Sequence, residues 1–178
     1  MANRYEQFLG AGARIAGVSV DSPAQNAAMV EKLRLPFWML SDPDGEGVLK
    51  AVDAWHPGTR HGDIGKPGVT VIDADGVERF RQIGGDFADR ISEDDLLTQV
   101  LDLELPPTDQ PEVELVDPEP GDQAMPVHAL PPYLRGARFA ATAMGIRHAE
   151  VKATVDAYVE QVDRYAAAVR DLRERTRA

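Results

Sequence analysis

The 178-residue chain contains no cysteine. Without a thiol there is no disulfide, no thiolate metal site and no cysteine nucleophile. Long apolar runs are missing too: no stretch approaches the ~18 uninterrupted apolar residues of a membrane span, and the N-terminus lacks the basic-then-apolar run of a secretory signal. Positive charge is scarce. Nineteen Lys and Arg face thirty Asp and Glu, a formal net charge of −11, which argues against a chain built to hold a phosphate backbone. The charge argues against a nucleic-acid partner. The lack of a membrane span and of a secretory signal leads to the expectation of a cytoplasmic protein without a membrane partner; zero cysteines says nothing about compartment. With 43% hydrophobic, 28% charged and only 6% aromatic residues, the length fits one domain with an appendage.

Charge is distributed in three blocks. Residues 1–100 hold ten basic and sixteen acidic side chains, residues 101–130 hold none and eight, and residues 131–178 hold nine and six. The blocks suggest a domain over residues 1–104, an acidic Pro-rich linker or strap over 105–130, and a helical extension over 131–178.

The first block alternates strand and helix patterns. Ala13 to Val20 is apolar and partly β-branched, as in a strand buried on both faces. Ser22-Pro23 sets an N-cap and first turn ahead of Ala27, Ala28, Val30 and Leu33, and Pro36 stops that helix. Phe37 to Leu40 reads as a second buried strand. Val48, Leu49 and Val52 fit the inner face of a short helix, and residues 55–65 fit a loop. Gly68 to Ile72 and Val77 to Ile83 are strands joined by the hairpin turn Asp73-Ala74-Asp75-Gly76. Ser92 and Asp95 resemble a capping box opening a helix with Leu96, Leu97, Val100 and Leu101. A parallel pair crossed over by a helix, then a hairpin and a closing helix, indicates an α/β fold with a mixed sheet.

Three consecutive blocks are similar to the peroxiredoxins, in the alkyl hydroperoxide reductase and thiol-specific antioxidant group. They are Ile15-Ala16-Gly17-Val18-Ser19-Val20-Asp21-Ser22-Pro23, Leu35-Pro36-Phe37-Trp38-Met39-Leu40-Ser41-Asp42-Pro43-Asp44-Gly45 and Lys66-Pro67-Gly68-Val69-Thr70-Val71-Ile72-Asp73-Ala74-Asp75-Gly76. The resemblance covers about residues 5–104. It implies a thioredoxin-like fold and an antioxidant oxidoreductase ancestry in which a cysteine thiolate, in a Pro-x-x-x-Thr/Ser-x-x-Cys motif, reduces hydroperoxides. It also implies that this motif and a strand between the counterparts of 14–20 and 69–73 would lie upstream of Met1, so that Tyr5, Phe8 and Leu9 lie near the end of the helix that ought to carry the nucleophile. Either the chain is a truncated reading of a longer gene or another polypeptide fills the gap, since unpaired apolar strand edges are normally covered.

With no cysteine, and with serine and threonine hydroxyls protonated at neutral pH without a dedicated base, the family reaction is not expected of this chain. No catalytic residue and no cofactor is assigned. By resemblance, Lys66 stands near a basic position that faces the thiolate, although a Lys lacks the planar fork of an Arg. Pro67 aligns with a proline that is cis in thioredoxin-like relatives; read from the residues alone it is a strand-start proline with an ordinary trans bond.

Other motifs carry less. His56 and His61, near Asp53 and Asp63, match no strong metal-ligand spacing and read as solvated loop residues. Asp42-Pro43-Asp44-Gly45 and Asp73-Ala74-Asp75-Gly76 are turns rather than calcium loops, because the glycine comes early and the distal Glu is missing. Gly84-Gly85 lacks dinucleotide-site spacing, and no G-x-S-x-G elbow supports a hydrolase. Within the strap, Val113, Leu115 and Val116 are apolar enough to dock, while the acidity and irregular proline spacing match no specific reader of Pro-rich peptides.

The extension carries the clearest periodicity. Val151, Val155, Tyr158, Val162, Tyr165, Val169 and Leu172 form an a/d seam of about three heptads, roughly 33 Å long. The seam is expected to dock on the preceding helix around Leu134 to Ile146 or on the sheet, with self-association into a homo-oligomer as the other outcome. The arginines at 164, 170, 173, 175 and 177 fit a solvated helix end. Two functional readings follow: a peroxiredoxin-like protein inactive without its thiol, or a non-catalytic interaction module oligomerising through the C-terminal helix.

Overall fold

The computed structural model describes residues 1–59, 62–112 and 114–176. The chain divides into two compact units, Met1–Gly121 and Asp122–Ala178. The first contains α1 (Tyr5–Gly10), β1 (Ala16–Ser19), α2 (Pro23–Leu33), β2 (Trp38–Ser41), β3 (Trp55–Thr59), β4 (Gly62–Gly65), β5 (Gly68–Ile72), β6 (Glu78–Ile83) and α3 (Glu93–Leu101). The second contains α4 (Leu130–Arg147) and α5 (Lys152–Arg175).

The α/β class holds, with strand pairing split among three ladders. β1 and β2 are parallel, from Ala16↔Trp38 to Ser19↔Ser41, with α2 as the crossover. β3–β4 and β5–β6 are antiparallel, the latter running from Gly68↔Ile83 to Ile72↔Glu78. Among the described residues β1 pairs only with β2, and β5 only with β6. The two ladders nevertheless meet one core. Phe8, Ala11, Ile15, Phe37, Leu96 and Val100 are buried together, and Met39, Val69, Val71 and Phe80 pack on them. Apolar surface from α1, α3 and both ladders is thereby removed from water, the dominant favourable contribution to folding.

Local chemistry fixes the elements. Ser22 Oγ accepts the Gln25 amide N–H at 3.3 Å while Gln25 Oε1 accepts that of Ser22 at 2.9 Å, a reciprocal cap on α2. That helix buries Ala27 and Val30 and ends at Arg34, whose φ is 50°. Between β5 and β6, Asp73 Oδ1 accepts the N–H groups of Asp75 and Val77 at 3.0 and 2.9 Å, and Gly76 takes the left-handed φ of 80° that the turn requires.

Several local expectations are corrected. Residues 48–52 form no α-helix: one turn closes with Val52 N–H on the Val48 carbonyl at 3.1 Å, and Asp53 then turns left-handed at φ 58°. The loop over 55–65 contains the β3–β4 hairpin, hidden in the sequence because Pro57 and three glycines interrupt any alternation. β1 and β2 are not buried on both faces: Met39 packs on the core, whereas Ala16 and Leu40, on the alternate side of the ladder, are exposed, Leu40 by 47%. At α3 the cap is one-sided. Ser92 Oγ accepts the Asp95 N–H at 3.1 Å, while the shorter Asp carboxylate takes only the serine hydroxyl, at 2.7 Å.

The acidic segment after α3 is held at two places. The Thr108 N–H donates to the Leu9 carbonyl at 2.9 Å, and the Gln110 side-chain amide meets Ile15 twice, accepting its N–H at 2.9 Å and donating to its carbonyl at 2.8 Å. Further on, the Glu119 N–H donates to the Ala24 carbonyl at 3.0 Å. Residues 112 and 114–118 between these ties are exposed; Val113 lies outside the described residues.

In the second unit α5 packs along α4, buries Val162 and Leu172, and is tied to it by Arg138 Nε donating to Asp163 at 3.0 Å. The seam is thus met within the chain. Val162 and Leu172 are unavailable to a second copy, whereas Val151, Val155, Tyr158, Tyr165 and Val169 keep partial exposure. Among the described residues no helix is long and apolar enough to cross a membrane.

Candidate functional site

Lys66 and Pro67 form the link from β4 to β5. The Lys66 N–H donates to the Ala54 carbonyl at 2.7 Å, and the Pro67 carbonyl accepts from the Gly84 N–H at 2.7 Å. The described residues contain no cis peptide bond, so Pro67 is a trans, strand-start proline. Lys66 is half-buried and has no ion pair among the described residues. The dent beside this link, lined by Gly68, Val69, Gln82, Asp89, Arg90 and Ile91, has room for about one water molecule. With no cysteine in the chain, the link offers a cation and backbone groups, and no nucleophile of the thiolate kind.

Polar groups converge more densely at the carboxyl ends of the parallel strands β1 and β2, where α/β folds commonly place ligands. Asn26, 2% exposed on α2, is the centre. Its Oδ1 accepts from Ser19 Oγ at 2.9 Å, and its Nδ2 donates to the Leu40 carbonyl and Ser41 Oγ, each at 3.2 Å. Next to this group Asp42, also buried, accepts the N–H groups of Gly47, Val48 and Leu49 at 2.9, 2.8 and 2.8 Å. These bonds, that of Leu49 foremost, hold its carboxyl below the ordinary carboxylate range, with Lys50 adding attraction. Among the described residues no buried side-chain polar atom lacks a partner. Both groups are therefore spent on holding strands, helix and turn together, and neither is left facing a ligand.

Sequence reasoning missed Asn26 and the full role of Asp42. The available signals were an amide on the same helix face as Ala27 and Val30, and an aspartate opening a turn. The other candidates are not brought together. His56 is exposed on β3, Asp53 is paired with Arg81 at 2.5 Å, and Asp63 accepts the Gly58 N–H at 2.7 Å. His61 lies outside the described residues, and no group of potential metal ligands forms among the described ones. Asp73 serves its turn: the Val77 N–H and the Arg79 guanidinium hold its carboxyl below the ordinary range.

A helix-crossed parallel pair and an antiparallel hairpin sharing one core define a thioredoxin-like α/β protein. Residues 1–80 match the model of the AhpC/TSA family. The chain is similar to two plant proteins named peroxiredoxin Q, chloroplastic. With that of Populus jackii it shares 46% identity over 46 residues, 26% of this chain and 21% of the relative. With that of Arabidopsis thaliana it shares 38% over 73 residues, 41% and 32% respectively. The chain thus spans between a fifth and a third of the length of these curated relatives. The likeness to the AhpC/TSA, or peroxiredoxin, family thus lies in residues 1–80.

Proposed function

We propose that this chain is a peroxiredoxin-type scaffold without peroxidase chemistry of its own, the counterpart of a thiol-bearing segment supplied from outside it. One observation carries the reading: β1 and β5 border a common core yet pair with no strand on their second edges among the described residues. The side chain of Gln110 bonds the N–H and carbonyl of Ile15, as the backbone of a neighbouring strand would. In a completed sheet Lys66 and Pro67 would border the incoming segment, Lys66 supplying a point charge able to favour a thiolate. The reading keeps the protein in the cytoplasm, and the domain boundaries at 104 and 130 go with it.

The test is reconstitution. A peroxiredoxin fragment carrying the strand and the Thr-x-x-Cys helix, mixed with this chain, is expected to reduce hydrogen peroxide at the expense of a dithiol faster than the fragment alone. A rate equal to the fragment's own would overturn the scaffold reading. The second reading is a non-catalytic module that self-associates through the half-exposed part of the α5 seam. Substituting Tyr158→Glu and Tyr165→Glu would then convert an oligomer to a monomer, and an unchanged sedimentation coefficient would exclude it.

A further inference from the structure

We propose that the outward face of α4 docks the acidic bridge, residues 112–118, of a second copy of this chain. α4 contains Arg135, Arg138 and Arg147 and no acidic residue, and Arg138 is engaged by Asp163. At about 100° per residue, the side of the helix opposite buried Leu134 carries Phe139 and Ile146, which are 69 and 82% exposed. Arg135 and Arg147 stand towards the two ends of the same side, both exposed and neither in an ion pair among the described residues. Two large apolar side chains this exposed on one stripe, with an arginine towards each end, mark an interaction surface.

Charge selects the occupant. Two α4 helices face to face would bring arginines against arginines, a repulsive arrangement. Residues 101–130 instead hold eight acidic side chains and no basic one. Between its ties at Gln110 and Glu119 the bridge exposes Glu112, Glu114 and Asp117 together with Leu115 and Val116, which are 45 and 53% exposed. Glu112 and Asp117 are five residues apart, a reach of up to about 16 Å when extended. The helical rise places Arg135 and Arg147 about 18 Å apart. The acids thereby reach the two arginines while Leu115 and Val116 cover the ring of Phe139 and its neighbours. Because both ends of the bridge are already tied down, little chain entropy is lost on docking. Exchange of bridges between two copies makes the contact twice around a two-fold axis. The inference is independent of any peroxidase role.

Sedimentation equilibrium on the full chain tests it. The expected result is a reversible dimer whose dissociation constant rises at least about tenfold between low ionic strength and 0.5 M salt, where surface charges are screened. Phe139→Glu with Ile146→Glu is expected to give a monomer with unchanged circular dichroism. Arg135→Glu with Arg147→Glu is expected to weaken the dimer at least about tenfold, and adding Glu112→Lys, Glu114→Lys and Asp117→Lys to that variant is expected to restore it. A monomer under all conditions, a dimer indifferent to Phe139→Glu with Ile146→Glu, or no recovery in the charge-exchanged variant would overturn the proposal. So would binding of the wild-type monomer to phosphatidylglycerol vesicles with no dimer formed.

Discussion

The two units build order in different ways. In Met1–Gly121 the helices are short, and polar side chains determine where two of them begin: Ser22 and Ser92 accept amide N–H groups at the starts of α2 and α3, while α1 has no side-chain cap. Its interior joins an apolar cluster to two buried polar residues, Asn26 and Asp42, that tie turns to strands. In Asp122–Ala178 neither α4 nor α5 has a side-chain cap. Helix length, packing of one helix on the other, and i,i+4 pairs such as Lys152–Asp156 and Arg164–Glu160 take the place of caps. The difference teaches where specificity resides. The first unit encodes its own partners residue by residue, whereas the second buries Leu134, Val162 and Leu172 and leaves Phe139 and Ile146 of α4 in water.

One pair of substitutions can break this comparison. Phe8→Ala, at a position 1% exposed, is expected to cost about 3–5 kcal/mol, a large part of a small domain's stability. Phe139→Ala, at a position 69% exposed, is expected to change the stability of the monomer by no more than about 0.5 kcal/mol. Urea denaturation at low protein concentration reads both, and equal losses would mean that the burial contrast has no energetic content. Asn26→Ala strands the buried polar groups of β1 and β2 and is expected to cost about 1–3 kcal/mol, read as a lower midpoint in the same titration.

Ser22→Ala removes one half of the reciprocal cap and is expected to cost about 1 kcal/mol, whereas an effect near zero would show that Pro23 alone sets the start of α2. Asp42→Asn sharpens the comparison through pH. Because the folded carboxyl of Asp42 is held below its unfolded value, its contribution is present above the unfolded value of about 3.9 and is lost as pH falls through the lower, folded one. Acidification from pH 5 downward is therefore expected to destabilise the wild type more steeply than Asp42→Asn, as measured by melting temperature against pH.

Legibility in the sequence followed the same division. The α5 seam, the 73–76 turn and the Ser22 start were readable because periodicity, turn residues and caps are local signals. The β3–β4 hairpin was not, because it depends on Gly58 and Gly62 at positive φ and on Asp63 reaching the Gly58 N–H. The reciprocal Gln25 bond was local too, since Ser22 and Gln25 stand at capping-box spacing. For the site, the three ordered blocks carried the family resemblance, and the lack of a cysteine carried the expectation that the thiol chemistry is missing. The linkage of Ser19, Asn26 and Ser41 was invisible, since it joins residues on three elements that only the folded chain brings together.

The central proposal is that a peroxiredoxin-like scaffold is folded here without peroxidase chemistry of its own. Hydrogen peroxide consumption by the purified chain alone, with a dithiol reductant and the fold verified in the same sample by circular dichroism, tests it most directly. The account predicts a rate equal to that of buffer with reductant at every protein concentration. A rate that rises in proportion to folded protein, saturates with peroxide and disappears on denaturation would contradict it.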